Sequence, residues 1–194
     1  MKKVVKGDEF CIDGKAYPVM NPKEGNYEVI LRRNYEQMHN MLSYHSRIIV
    51  IRLDLHLHDY STSSDLISNF IRKLRKTLVR KYKFKRMGYM WVREWESIKM
   101  LTQSQHYHLA LILDANVVRH PAAVIKAIEC IWQGWGLPKP YTPKNCYSTA
   151  FRDDPNSFIK PFKRLSYMAK VGGKGNRGKA ANDYSSSQIR AKKC

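Results

Sequence analysis

Ten consecutive residues, Arg47-Ile48-Ile49-Val50-Ile51-Arg52-Leu53-Asp54-Leu55-His56, constrain the fold of this chain more than any other stretch. A surface helix repeats its apolar residues every three or four positions, and a strand with one wet face alternates. This run does neither. It is β-branched and almost unbroken, the pattern of a strand buried on both faces. Three more strands can be read around it. Residues 88–97 alternate Tyr89, Trp91, Arg93 and Trp95 with Met90, Val92, Glu94 and Glu96. Residues 106–114, HYHLALILD, are again largely apolar, and the polar stretch 99–105 turns the chain between the two. Residues 146–151 form a short fourth strand.

Helices fill the intervals. Residues 27–44 carry Ile30, Leu31, Tyr35, Met38 and Leu42 at helical spacing. Ser61 to Ser64 offer N-caps for a helix running to about residue 81, with Leu66, Ile67, Phe70, Leu74 and Leu78 as its apolar stripe. Arg72, Lys73, Arg75, Lys76 and Arg80 lie largely outside that stripe. They make either a solvated charged face or a phosphate-facing surface. Pro121 suits the start of a helix over 122–135, and Pro161 falls in the first turn of a last helix over 158–171. The order strand, helix, strand, strand, helix, strand, helix is that of an α+β, ferredoxin-like (split βαβ) antiparallel sheet with helices on one face. Residues 1–26 read as an irregular or hairpin-like arm, 27–171 as the domain, and 172–194 as a basic flexible tail.

Composition narrows the partners. The chain has 194 residues, a net charge of +19 and a pI of about 9.9. Such an excess points to a polyanion, most often nucleic acid. The four cysteines, Cys11, Cys130, Cys146 and Cys194, form no C-x-x-C pair, so a zinc finger or disulfide framework is not expected. The pattern suits a reducing cytoplasm. No apolar stretch reaches the ~18 residues of a membrane span, and the first residues lack the apolar run of a signal peptide.

The chemistry starts at His106 and His108. Residues two apart on a strand share a face, so their imidazoles stand side by side and can both ligate a metal when neutral. If 88–97 and 106–114 form a hairpin, Glu94 or Glu96 lies across from the pair. Two imidazoles and a carboxylate make a three-ligand corner with open positions. Glu94 is preferred because it sits deeper in its strand. His56 and His58 form a rival pair, flanked by Asp54 and Asp59, and suit a supporting or substrate-contacting role better. On the last helix Tyr167 and Lys170 share a face at i and i+3. A tyrosine beside a metal-bound phosphate can act as a nucleophile, with the lysine favouring its phenolate. Trp91, Trp95 and Tyr89 are candidates for stacking on bases.

The runs RLDLHLHDYS, YMWVREWE, HYHLALILD and RLSYMAK, in that order, resemble the HUH endonucleases, and within them single-tyrosine replication (Rep) initiators of filamentous-phage and phage-satellite type, which overlap the YagK/YfjJ C-terminal domain family. The resemblance spans roughly residues 27–171. It implies a divalent metal, Mg²⁺ or Mn²⁺, held by His106, His108 and Glu94. It implies attack by Tyr167 on single-stranded or hairpin origin DNA, leaving a 5′-phosphotyrosine, with Lys170 assisting. Arg93, Lys163, Arg164 and Lys174 are expected on the DNA, and unwinding would need a separate helicase. The competing expectations are an origin-binding or regulatory protein on the same fold without cleavage, and a non-haem iron oxygenase, whose facial triad has the same donors.

Overall fold

A computed structural model describes residues 3–98, 102–175 and 181–193. The N-terminal arm holds four short strands: β1 (Val4–Val5), β2 (Glu9–Ile12), β3 (Lys15–Pro18) and β4 (Asn26–Tyr27). β1 pairs with β4, and β2 with β3 in a hairpin. Helix α1 (Glu28–Tyr44) leads into β5 (Arg47–His56), then α2 (Asp65–Tyr82), β6 (Gly88–Ile98), β7 (Thr102–Asp114) and α3 (Ala122–Gln133). β8 (Tyr147–Phe151) follows, then a 3-10 turn (Pro155–Phe158), α4 (Ile159–Ser166), a second 3-10 turn (Tyr167–Ala169) and β9 (Tyr184–Ser186).

The main sheet has five strands in the order β8-β5-β7-β6-β9, every neighbouring pair antiparallel. The unbroken apolar strand is therefore interior, with β7 on one side and β8 on the other. Period-two alternation sends its residues to two cores. Ile49, Ile51, Leu53 and Leu55 pack with Trp91, Tyr107 and Leu109 against Phe70 and Leu74 of α2 and Ile128 and Trp132 of α3. Ile48 and Val50 pack with Val92, Ala110 and Ile112 against Leu31 and Met38 of α1 and Phe162 and Leu165 of α4. Helices thus cover both faces of the sheet. That corrects the expectation of helices on one face, and the cause is already visible in β5: a strand apolar on both sides leaves hydrocarbon in water unless both are covered. The β2–β3 hairpin joins the second core through Phe10 and Ile12.

Two more differences concern the ends of elements. β6 runs to Ile98 and β7 starts at Thr102, so residues 102–105, expected in the turn, belong to a strand, while residues 99–101 lie outside the described residues. The expected flexible tail also carries structure. β9 pairs with β6 through Met90↔Ser186 and Val92↔Tyr184. Ser187 Oγ donates to Gln37 Oε1, and Asn40 Nδ2 donates to the Ile189 carbonyl at 2.8 Å. An open edge of β6 would leave backbone groups unpaired. Polar, low-hydrophobicity residues satisfy them as well as apolar ones do, because the ladder uses only the main chain. Among the described residues no helix is long and apolar enough to cross a membrane.

Candidate metal centre

The β6–β7 register sets Glu94 opposite His106, and the β5–β7 register sets Asp54 opposite His108 and His56 opposite His106. All of these are even-numbered and share the α1/α4 face of the sheet, at the end of β5 and the start of β7. Glu94 Oε2 lies 3.0 Å from His108 Nε2 and 3.8 Å from His106 Nε2, and the two ring nitrogens are 3.3 Å apart. Glu94, His106 and His108 form the buried group that could hold a metal ion. Donors at right angles on a small cation, each at about 2.1 Å, sit about 3.0 Å apart. The spacing found here fits such an ion, as does the donor chemistry. Glu94 Oε2 and His106 Nδ1 are also buried without a well-aligned hydrogen-bond partner.

The surrounding charges prepare the ligands. His108 Nδ1 lies 2.6 Å from Asp54 Oδ1. Burial alone would raise the Asp54 pKa, but the bond to His108, with Arg52 nearby, holds it below the usual carboxylate range. An ionised carboxylate only accepts, so Nδ1 carries a proton, and a metal in the Glu94 corner would be met by the Nε2 lone pair. Removing this brace is testable: Asp54→Asn should weaken Mn²⁺ binding by roughly 10- to 100-fold, measured by calorimetry, while Asn116→Ala on the far end of the sheet should not.

Burial, with the neighbouring His108 ring acting in the same direction, pushes His106 down to about 4. Burial works against the Glu94 carboxylate, yet the bond to His108 and the ammonium of Lys174 override it and hold its pKa at about 2. The unfolded chain takes up protons first at both sites. Stability contributed by His106 is therefore complete above its ordinary 6.5 and lost as the pH falls through about 4; Glu94 adds a second loss between 4.5 and about 2. Urea unfolding of the metal-free protein should show stability falling by on the order of 1–2 kcal/mol between pH 7 and pH 5 from His106, and His106→Gln should flatten that slope.

Tyr167 opens the 3-10 turn after α4, where the helix tightens. Its hydroxyl accepts from Lys170 Nζ at 2.8 Å, and Lys170 is also 2.8 Å from Glu94 Oε2. Burial would lower the lysine pKa, but Glu94 and Tyr167 raise it above its ordinary value, so Lys170 is an ammonium. The Tyr167 ring lies 5.3 Å from that of His108, and the Arg52 guanidinium sits 4.3 Å over its centroid. A groove of about 640 Å³ opens beside Tyr167 and Arg52, lined by Lys160, Lys163, Arg164 and Tyr147 among others.

The sheet thus brings together Glu94, His106, His108, Tyr167 and Lys170. Lys163 and Arg164 lie along the adjoining groove. Two residues expected on DNA are elsewhere. Arg93 is odd-numbered, so it faces α2; it is 4% exposed and donates to the carbonyls of Ser61 and Ser63 and to the Tyr107 hydroxyl. The Lys174 side chain is fully buried, its Nζ 2.6 Å from Glu94 Oε1. Gly173 makes this approach possible: its φ is +77°, and a Cβ there would lie 3.2 Å from the Trp95 carbonyl oxygen. His56 stacks on His106 at 5.3 Å, whereas His58 is exposed and bonds the Gly136 carbonyl. The Glu96 side chain lies outside the described residues. Trp91 is core, and Trp95 packs edge-on to the exposed Tyr60 at 4.7 Å. Arg52 and Asp54 stand out in the β5 sequence as polar breaks in an apolar run, on the same face as His56.

A family model described as the YagK/YfjJ C-terminal domain matches residues 13–133. The matched stretch includes Asp54, Glu94, His106 and His108 and ends before Tyr167. No curated protein and no solved structure matches the chain.

Proposed function

The chain belongs to the YagK/YfjJ C-terminal domain family, and we propose that it is a metal-dependent enzyme that nicks and rejoins single-stranded DNA through a tyrosine. The observation that carries this reading is one cluster: three metal-ligating side chains converge beside a tyrosine hydroxyl held by Lys170, which in turn pairs with the third ligand, Glu94. The order β8-β5-β7-β6, with α2 and α3 as crossovers packed on one face, supports reading the core as split βαβ and as an HUH endonuclease domain. The +19 charge and the cationic groove beside Tyr167 support a DNA strand as substrate.

A bound Mg²⁺ or Mn²⁺ would polarise the scissile phosphate and offset charge developing on it. Tyr167 Oη attacks phosphorus, losing its proton to solvent. The bond from phosphorus to the 3′ oxygen breaks, the 5′ phosphate stays on the tyrosine, and the 3′ oxygen takes up a proton and leaves as a free hydroxyl. Lys170, kept cationic by Glu94, favours the phenolate electrostatically. Arg52 lies over the ring and adds to that effect. Lys163 and Arg164 hold the strand in the groove. Reversal rejoins the ends. On this reading the freed 3′ hydroxyl primes rolling-circle replication of a phage or other mobile element in the cytoplasm, with a separate helicase unwinding the template.

Incubation with labelled single strands of randomised sequence and Mn²⁺ tests the proposal. A denaturation-resistant adduct that maps to Tyr167 and requires the metal supports it; free 3′ ends without any adduct overturn it. A second reading, an origin-binding protein without cleavage, is favoured by one observation. Lys170 and Lys174 already compensate the charge of Glu94. Sequence-selective DNA binding without Mn²⁺ affinity would decide for it.

A further inference from the structure

The acid-free stretch of the chain with the most cations lies outside the metal centre. Between Asp65 and Glu94 there is no acidic residue, while ten lysines and arginines fall in that interval. Five of them, Arg72, Lys73, Arg75, Lys76 and Arg80, are on α2. At 100° per residue they occupy one outward arc, with Arg72, Lys76 and Arg80 forming a single ridge at i, i+4 and i+8. The opposite arc holds Ile67, Phe70, Ile71, Leu74 and Leu78, all buried against the sheet. Arg72, Lys73, Arg75, Lys76 and Arg80 are exposed. None of these five side chains is in an ion pair among the described residues.

We propose that the outer face of α2 is a second nucleic-acid site, which grips the sugar-phosphate backbone of duplex DNA without reading bases. Five like charges on one helix repel each other and cost stability unless a polyanion neutralises them. The chemistry of the face selects the duplex. Single strands are held on aromatic platforms, and α2 offers none: Phe70 is buried, and Tyr82 stacks on Phe84 at the helix end. A membrane surface would need exposed apolar residues beside the cations, and the exposed residues between them are Ser68 and Asn69, while Val79 is half-buried against the core. The site is also remote from the metal centre, because α2 covers one face of the sheet and Glu94, His106 and His108 lie on the other. A molecule so built can hold a duplex on one side and act on a separated strand on the other. The inference stands on α2 alone and does not require the metal centre to be active.

The test is binding of the full chain to a random-sequence duplex in EDTA, followed across a salt series. The triple variant Arg72→Gln, Lys76→Gln, Arg80→Gln should bind at least about 10-fold more weakly at low salt, and its log K against log [salt] slope should be shallower by about 2.7. A charge-matched control, Lys6→Gln, Lys15→Gln, Lys23→Gln on the exposed N-terminal arm, should keep the wild-type slope within about 1. Neither triple should melt below wild type, since all six positions are exposed and the α2 changes relieve like-charge repulsion. Equal losses in the two triples, an unchanged slope in the α2 triple, or preference of the α2 face for single strands or RNA of the same sequence would overturn the proposal. Mn²⁺ affinity unchanged in the α2 triple separates this outcome from any failure at the metal centre.

Discussion

Replacing Tyr167 with phenylalanine is expected to cut covalent protein–DNA adduct formation by at least about 1,000-fold, because in the proposed mechanism the Tyr167 hydroxyl supplies the attacking oxygen. The change is small in space. The phenyl ring keeps its place under Arg52 and beside His108, and Lys170 keeps Glu94 as partner after losing the hydroxyl. Mn²⁺ binding and thermal stability should therefore stay close to wild type. Labelled single strands resolved on a denaturing gel provide the measurement. An adduct that persists in Tyr167→Phe would assign the nucleophile elsewhere. A wild-type protein that binds Mn²⁺ and DNA yet forms no adduct would favour the binding role.

The second large effect is at Glu94. Its carboxylate is 1% exposed and touches two ammonium groups, one of them on the fully buried side chain of Lys174. Glu94→Gln removes the charge and leaves those cations in a poorly solvated place, which should cost about 3–5 kcal/mol of stability in urea unfolding. The same substitution should weaken Mn²⁺ binding strongly, since a neutral amide is a poor ligand for a hard dication. Adding Lys174→Met should restore at least half of the lost stability without restoring the metal, because the orphaned charge goes and an apolar side chain of similar length fills its place. If Glu94→Gln unfolds at the wild-type midpoint, the buried cluster does not hold Glu94 as described.

Much of the geometry of the Glu94, His106 and His108 group follows from the sequence. His106 and His108 share a face because a strand has period two, and antiparallel pairing of β6 with β7 sets Glu94 opposite His106. Tyr167 and Lys170 meet because three residues on a helix make nearly one turn. These are local rules, satisfied whatever the rest of the chain does. Arg93 shows where they stop. It is one residue from Glu94, and the same period-two rule that aims Glu94 at the histidines aims Arg93 at α2. Its guanidinium then binds the loop at Ser61 and Ser63. The sequence-level expectation that it contacts DNA weighed charge and ignored parity.

Lys174 and β9 lay beyond local rules altogether. Nothing in a glycine- and lysine-rich stretch announces a strand, since β9 is held chiefly by main-chain pairing to β6 and by Ser187 on Gln37, with only Tyr184 and Ile189 half-buried against the core. Periodicity and apolar runs define which segments are strands and helices, and which residues on a strand look the same way, because those follow from backbone geometry and the removal of hydrocarbon from water. Which strands are neighbours, which face each helix covers, and which distant ammonium compensates Glu94 depend on contacts between residues 80 apart in the chain. Only the assembled sheet decides them, because the free energy of a buried charge depends on what surrounds it in space.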